Sequence, residues 1–182
     1  MNELETALNL LIFIFPAYAA NAAPVIFGNR GPVMDFKKKL WGKRVLGDGK
    51  TFIGFFAGLA CGIVSGVAIS FLSTEYYPVF LPFLNTKEKI VVGLLLSLGA
   101  LTGDLAGSFI KRRLGIERGQ PSFLMDQLPF LFMALFFTLF YKPHIGQWIG
   151  FWGFVFLVAA TFILHKATNV IAYRLRLKKV PW

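Results

Sequence analysis

The run Ile90-Val91-Val92-Gly93-Leu94-Leu95-Leu96-Ser97-Leu98-Gly99-Ala100-Leu101-Thr102-Gly103-Asp104-Leu105-Ala106-Gly107-Ser108-Phe109-Ile110 carries one charge and stops at Lys111-Arg112-Arg113. About 20 consecutive apolar residues take a helix across a bilayer core, and this stretch has that length. Its single acid, Asp104, is expensive there. A carboxylate at membrane depth is disfavoured by roughly 2.5–3.5 kcal/mol on insertion scales, so it faces a partner or a site rather than lipid.

Four more apolar runs surround this one: Leu4–Ile26, Phe52–Leu72, Phe123–Tyr141 and Ile145–Leu164. The chain has 182 residues and is 56% hydrophobic, so five spans leave no room for a soluble catalytic domain. The expected architecture is therefore all-α and integral to the membrane. It has five transmembrane helices in a single polytopic catalytic domain, residues 1–182, with residues 165–182 as a tail. The first run follows Glu3 rather than lysines and exceeds a signal-peptide core in length, so it reads as a retained span. Cys61, the one cysteine, lies mid-span and excludes a disulfide within the chain or a cysteine metal site.

The basic charge is one-sided. Nineteen Lys and Arg against nine Asp and Glu give a formal charge of +10. Seven cations lie between the first two runs (Arg30, Lys37, Lys38, Lys39, Lys43, Arg44 and Lys50). Four lie between the third and fourth (Lys111, Arg112, Arg113 and Arg118), and five lie in the tail (Lys166, Arg174, Arg176, Lys178 and Lys179). The alternate connections hold only Lys87, Lys89 and Lys142. The positive-inside rule then puts the N-terminus outside and the C-terminus in the cytoplasm. The expectation is a multi-pass cell-membrane protein whose site faces the cytoplasm. Topology and attraction to anionic headgroups account for the charge, and no nucleic-acid-binding motif is present.

Chemistry-bearing residues gather at the basic end. Asp104, Ser108 and Lys111 stand at i, i+4 and i+7, one face of a helix. Asp126 follows in Ser122-Phe123-Leu124-Met125-Asp126-Gln127, at the head of the fourth run. The purely apolar part of that run, Leu128–Tyr141, is too short to span, so a helix beginning near Phe123 is expected to draw Asp126 to the membrane boundary. Two acids on adjacent antiparallel helices then meet, as ligands for a divalent cation. The plainer alternatives are a helix N-cap for Asp126 and an ion pair with Lys111 for Asp104.

Glycines recur at every fourth residue: Gly54, Gly58, Gly62 and Gly66 in the second run, and Gly99, Gly103 and Gly107 in the third. Such stripes let helices approach closely. Packing of the second run on the third is expected to bring the first basic loop, which ends in Lys50, toward Asp104. Gly47-Asp48-Gly49-Lys50-Thr51 looks like the end of a P-loop, but Arg44 stands where that pattern needs its first glycine. The local physics remains: glycines open the backbone to phosphate, Lys50 adds a cation, and Thr51 can cap the next helix. Asp48 is a further metal ligand or a partner that orients Lys50. Asn21 and Asn169 stand near the same membrane face, as helix-packing polar residues or as site residues. A small transporter or channel with the acids as ion ligands is the competing class. The five runs show no inverted repeat, and the acids cluster at one face rather than at the midplane.

Taken together, these stretches resemble a known family. Tyr18-Ala19-Ala20-Asn21-Ala22-Ala23-Pro24, Gly47-Asp48-Gly49-Lys50-Thr51, Gly103-Asp104 through Arg113, Met125-Asp126-Gln127, Thr168-Asn169-Val170-Ile171-Ala172-Tyr173 and Lys178-Lys179-Val180-Pro181-Trp182 are similar to the CDP-archaeol synthases from end to end. Ser108-Phe109-Ile110-Lys111-Arg112 with the later aspartate also resembles a shortened CDP-diacylglycerol synthase signature, although the His-Gly-Gly element of that family is missing. The resemblance implies a Mg2+-dependent cytidylyltransferase that joins CTP to digeranylgeranylglyceryl phosphate, giving unsaturated CDP-archaeol and pyrophosphate. On that reading Asp104 and Asp126 hold Mg2+, and Lys111 joins them as a catalytic residue. Asn21, Asp48, Lys50, Thr51, Ser108, Arg112, Arg113, Arg118, Gln127 and Asn169 surround the two substrates.

Overall fold

The computed structural model describes residues 3–28, 31–76, 80–117, 120–122, 124–177 and 180. Five helices and one small hairpin follow in order: α1 Glu3–Phe27, β1 Lys39–Leu40, β2 Lys43–Arg44, α2 Phe52–Tyr76, α3 Thr86–Arg113, α4 Leu128–Tyr141 and α5 His144–Arg174. Each helix grows from one of the apolar runs. Four of them are long and apolar enough to cross a membrane, while α4 is a shorter apolar helix of 14 residues. Large apolar side chains stay exposed around the bundle, among them Phe56, Val64, Phe140, Phe151, Trp152 and Ile163. An outward apolar belt of that kind suits lipid rather than water.

Helix ends follow local chemistry. α3 starts where Asn85 closes a capping box: its side chain accepts from Glu88 N at 3.0 Å, and Glu88 accepts from Asn85 N at 3.0 Å. α3 ends on Lys111, Arg112 and Arg113, whose charges suit the negative end of the helix dipole. The expected start of α4 near Phe123 does not hold. Phe123 itself lies outside the described residues, but regular helix begins only at Leu128, with Pro129 in the first turn. Residues 124–127 form turns instead, with Leu128 N donating to Leu124 O at 3.0 Å. α5 runs beyond Leu164 to Arg174 and breaks once, at Gly150, whose φ of 63° leaves the helical region.

The glycine stripes pack helices, though not all in the expected pairing. A Cβ on Gly58 would lie 2.6 Å from Ala20 O of α1, and one on Gly62 would lie 2.2 Å from Ser97 Oγ of α3. Gly66 meets Gly93 of α3, whose Cα would be 2.9 Å from an added Cβ. The stripe Gly99, Gly103 and Gly107 faces α4 and the turn before it rather than α2: an added Cβ on Gly103 would sit 2.2 Å from Pro129 O, and one on Gly107 would sit 2.7 Å from Met125 O. α3 is thus held closely on two sides. The apolar core gathers Phe13 and Ile14 of α1, Leu96 of α3, Leu131 of α4, Ile145 and Leu157 of α5, and Phe80 and Leu81 of the connection before α3.

Candidate active site

The loop between α1 and α2 is ordered around an acid that sequence pattern does not single out. The Asp35 carboxylate is fully buried. It accepts from Arg44 Nη2 at 2.7 Å and Arg44 Nε at 3.1 Å, and from the backbone N–H groups of Lys37, Leu46 and Gly47, each at 3.0 Å. Burial pushes this carboxyl up, but the Arg44 guanidinium and the N–H groups of Gly47, Leu46 and Lys37 outweigh it and hold it well below the usual carboxylate range. Arg44 reaches Asp48 as well, at 2.7 Å. Asp48 is therefore engaged by Arg44, while Lys50 has a different partner.

That partner is Asp104: Lys50 Nζ lies 2.5 Å from Asp104 Oδ2, which joins the start of α2 to the inner part of α3. Lys111, one helical face along from Asp104, pairs with Asp126 rather than with Asp104. Asp126 also accepts from Ser122 N at 2.9 Å, so it closes its own turn, and the α4 N-cap position is occupied by Gln127. The two acids thus stand at one end of the bundle, each neutralised by a lysine. No hydrogen bond or ion pair joins them directly among the described residues. All four side chains are partly exposed, between 16% and 30%, so neither pair is sealed from water.

The arginines hold backbone. Arg113 donates to the carbonyls of Leu40, Lys43 and Arg44, and its guanidinium lies over Trp41 and Phe109. Arg112 donates to Ile116 O at 2.5 Å and to Leu46 O at 3.4 Å. They clasp the hairpin loop to the end of α3. Thr51 caps α2, accepting from Gly54 N at 3.1 Å while donating to Gly28 O at 2.9 Å.

The remaining sequence-predicted residues sit on several elements. Ser108 is buried beside Gly107, and Gln127 is buried with its Oε1 unpartnered among the described residues. Asn21 is half-buried on α1. Asn169 lies near the end of α5, buried, 3.2 Å from His165 Nδ1. Arg118 falls outside the described residues. A cleft of about 480 Å3 opens at the other end of the bundle, lined by Phe83, Leu84, Lys142, His144, Gln147 and Trp148. Among the described residues no carboxylate lines it, Lys142 pairs with Glu88 at 2.5 Å, and its aromatic, open lining suits the membrane interface.

Comparison with known proteins supplies the family. A family model described as CarS-like CDP-archaeol synthase matches residues 3–182. The chain belongs to the CDP-archaeol synthase family. A CDP-archaeol synthase of Methanococcus aeolicus is 41% identical over the whole of both chains. One of Pyrococcus horikoshii is 44% identical over 100% of this chain and 99% of its own. A solved intramembrane enzyme of archaeal membrane lipid biosynthesis is 39% identical, with a TM-score of 0.70 over 88% of this chain and 92% of that one. Membership of the CDP-archaeol synthases makes this chain an enzyme, a nucleotidyltransferase of phospholipid biosynthesis built in the membrane. The ion-coupled transporter reading gives way to it.

Proposed function

We propose that this enzyme transfers the cytidylyl group of CTP to digeranylgeranylglyceryl phosphate, releasing pyrophosphate and leaving unsaturated CDP-archaeol in the membrane. The observation that carries the chemistry is the double pairing of Lys50 with Asp104 and Lys111 with Asp126 at one end of the bundle. The likeness to CDP-archaeol synthases over the whole chain supports the nucleotide and the lipid class.

The donor set fits a magnesium ion. Mg2+ takes one or two carboxylates and completes its shell with water and substrate phosphates, and Asp104 and Asp126 are two carboxylates on separate elements, each already facing a cation. Asp104 and Asp126 would hold it, and it would supply charge neutralisation for the triphosphate and the departing pyrophosphate. The chain's own part is positioning and charge. A phosphate monoester with a second pKa near 6 is largely dianionic at neutral pH, so the lipid phosphate attacks without a general base. Its oxygen forms the new bond to the α-phosphorus of CTP, and the bond from that phosphorus to the bridging oxygen breaks. Lys50 and Lys111 turn from their carboxylates to phosphate oxygens, each as a mobile point charge. Ser108, Gln127, Asn21, Thr51 and Asn169 would contact the two substrates, Arg112 and Arg113 would act through the loop backbone they hold, and Arg118 is assigned to the substrates by the family resemblance alone. Asp48 stays with Arg44.

Five crossings with the basic loops in the cytoplasm would set this chemistry at the inner membrane face, where CTP arrives from water and the isoprenoid tails lie between helices. Purified protein incubated with labelled CTP, Mg2+ and the lipid phosphate tests the proposal. Label entering the lipid phase with stoichiometric pyrophosphate is the expected result, and turnover of a different nucleotide or a non-lipid acceptor would overturn it.

A further inference from the structure

The residue that the reaction does not use, yet that the site is built on, is Asp35. Its carboxylate is fully buried and takes five donors, two from Arg44 and one each from Lys37 N, Leu46 N and Gly47 N. A carboxylate offers about four lone-pair sites, so Asp35 has no capacity left for a metal or a substrate. Its partners are all in one loop, and that loop ends in Lys50.

The connections are short. Met34 N donates to Lys50 O at 2.8 Å, and the next residue, Asp35, accepts from Leu46 and Gly47. Two consecutive residues therefore pin both ends of the 46–50 turn. Inside the turn Gly47 takes a φ of 94°, which favours glycine, and Lys50 N donates to Gly47 O at 3.3 Å. A side chain at 47 would come within 3.4 Å of Arg112 Nε, so the turn lies against the end of α3. Arg44 extends the same network from Asp35 to Asp48.

We infer that Asp35 is the positioning residue of the nucleotide-binding turn: by fixing Arg44 and the N–H groups of Leu46 and Gly47, it aims Lys50 at Asp104 and at the triphosphate. The inference rests on the proposed role of Lys50 in holding CTP. Lys50 is a flexible ammonium on a four-carbon stem, and its side chain alone does not fix where the charge sits. Asp35 supplies that rigidity at the backbone. The role is narrower than general stabilisation, because the lipid phosphate approaches from the bilayer and does not depend on this turn.

The experiment is a double-mutant cycle on the full chain in nanodiscs, with CTP and lipid phosphate varied independently. Asp35→Asn keeps the shape of the carboxylate and removes its charge. It is expected to raise the KM for CTP about tenfold while the KM for the lipid phosphate changes by less than about twofold. In a Lys50→Met background the same substitution should cost less than about threefold in kcat/KM for CTP, since the group it positions is gone. Penalties that multiply, or equal rises in both KM values, would overturn the role. If Asp35→Asn loses its thermal transition, Arg44→Lys decides instead: it keeps the charge, loses the two-pronged contact, and should show the same CTP-selective, non-additive pattern. Wild-type protein that does not saturate with CTP would sink the functional reading itself. Saturable wild type with additive penalties would sink only Asp35.

Discussion

Lys50 and Lys111 each hold a carboxylate of another element, and that exchangeable arrangement sets what single substitutions do. Asp104→Asn and Asp126→Asn keep shape and hydrogen-bonding capacity but remove the charge that a divalent cation needs. Each is expected to lower kcat by about 100-fold or more, several kcal/mol of transition-state charge stabilisation. The thermal midpoint should stay near wild type, because all four side chains are partly solvated. Activity close to wild type at low Mg2+ would remove that aspartate from the ligand set, and loss of the folded state would mark it as structural. Lys50→Ala should act on the nucleotide alone. A lost charge-assisted hydrogen bond costs about 1.5–3 kcal/mol, or about 10- to 150-fold in kcat/KM for CTP. Steady-state kinetics with preference among lipid phosphates as the control would check this, and unchanged CTP kinetics would leave the phosphate site to Lys111 and the arginines. Much of this centre was legible in the residues themselves. Asp104 and Asp126 stood out because acids in apolar surroundings are costly, and the first basic loop was expected near Asp104, although Lys111 rather than Lys50 was its expected ion-pair partner. Asp35 was not legible, since an acid inside an irregular basic loop has no periodicity to place it. The backbone contacts of the arginines were not legible either: Arg113 binds carbonyls of Leu40, Lys43 and Arg44, and sequence does not show where loop carbonyls point.

Among the elements, α3 is the one whose packing cannot be relaxed. An added Cβ at Gly103 would lie 2.2 Å from Pro129 O and 2.6 Å from Phe130 Cα, both backbone atoms. Gly103→Ala therefore has to push α4 away, and with it the turn that carries Asp126. Overpacking of that kind costs about 1–3 kcal/mol, so a clear fall in thermal midpoint and a loss of turnover are expected together. Gly146→Ala is the contrast. It would meet only the end of the Leu139 side chain, at 3.3 Å, which can give way. Equal thermal midpoints for the two variants would show that the α3–α4 contact is softer than its backbone distances imply. The apolar runs forecast all five helices because burial in lipid leaves helix as the way to satisfy the backbone. They did not forecast the late start of α4, where Pro129 and the turn of residues 124–127 take over from apolar length. Nor did glycine spacing reveal its partner: a flat stripe says that something approaches closely, and only tertiary structure says which helix.

At the scale of the whole molecule, the shortness of α4 bears on where the chemistry sits in the bilayer. Fourteen residues at 1.5 Å each span about 21 Å, less than the roughly 30 Å of a hydrocarbon core. Non-helical backbone at membrane depth is tolerated only where protein buries it, and the turn before α4 meets that condition only in part: Gln127 is buried and Gly107 packs on Met125, but Leu124 is exposed and Asp126 is partly so. On the proposed reading the acid end of the bundle would lie at or just below the membrane surface, where a lipid phosphate could reach it without leaving the bilayer. That geometry requires the basic loops and the α5 end to share the cytoplasmic side and the turn before α3 to face out, as the positive-inside rule expects. Single cysteines at Lys38, Lys87 and Arg176, all exposed, in a Cys61→Ala background would report it. With an impermeant thiol reagent on sealed cells, only the cysteine at position 87 should react, and those at 38 and 176 should react after permeabilisation. Labelling of position 38 from outside would put Lys50 and both acids on the wrong side of the membrane for cytoplasmic CTP, and the proposed reaction would fall with the topology.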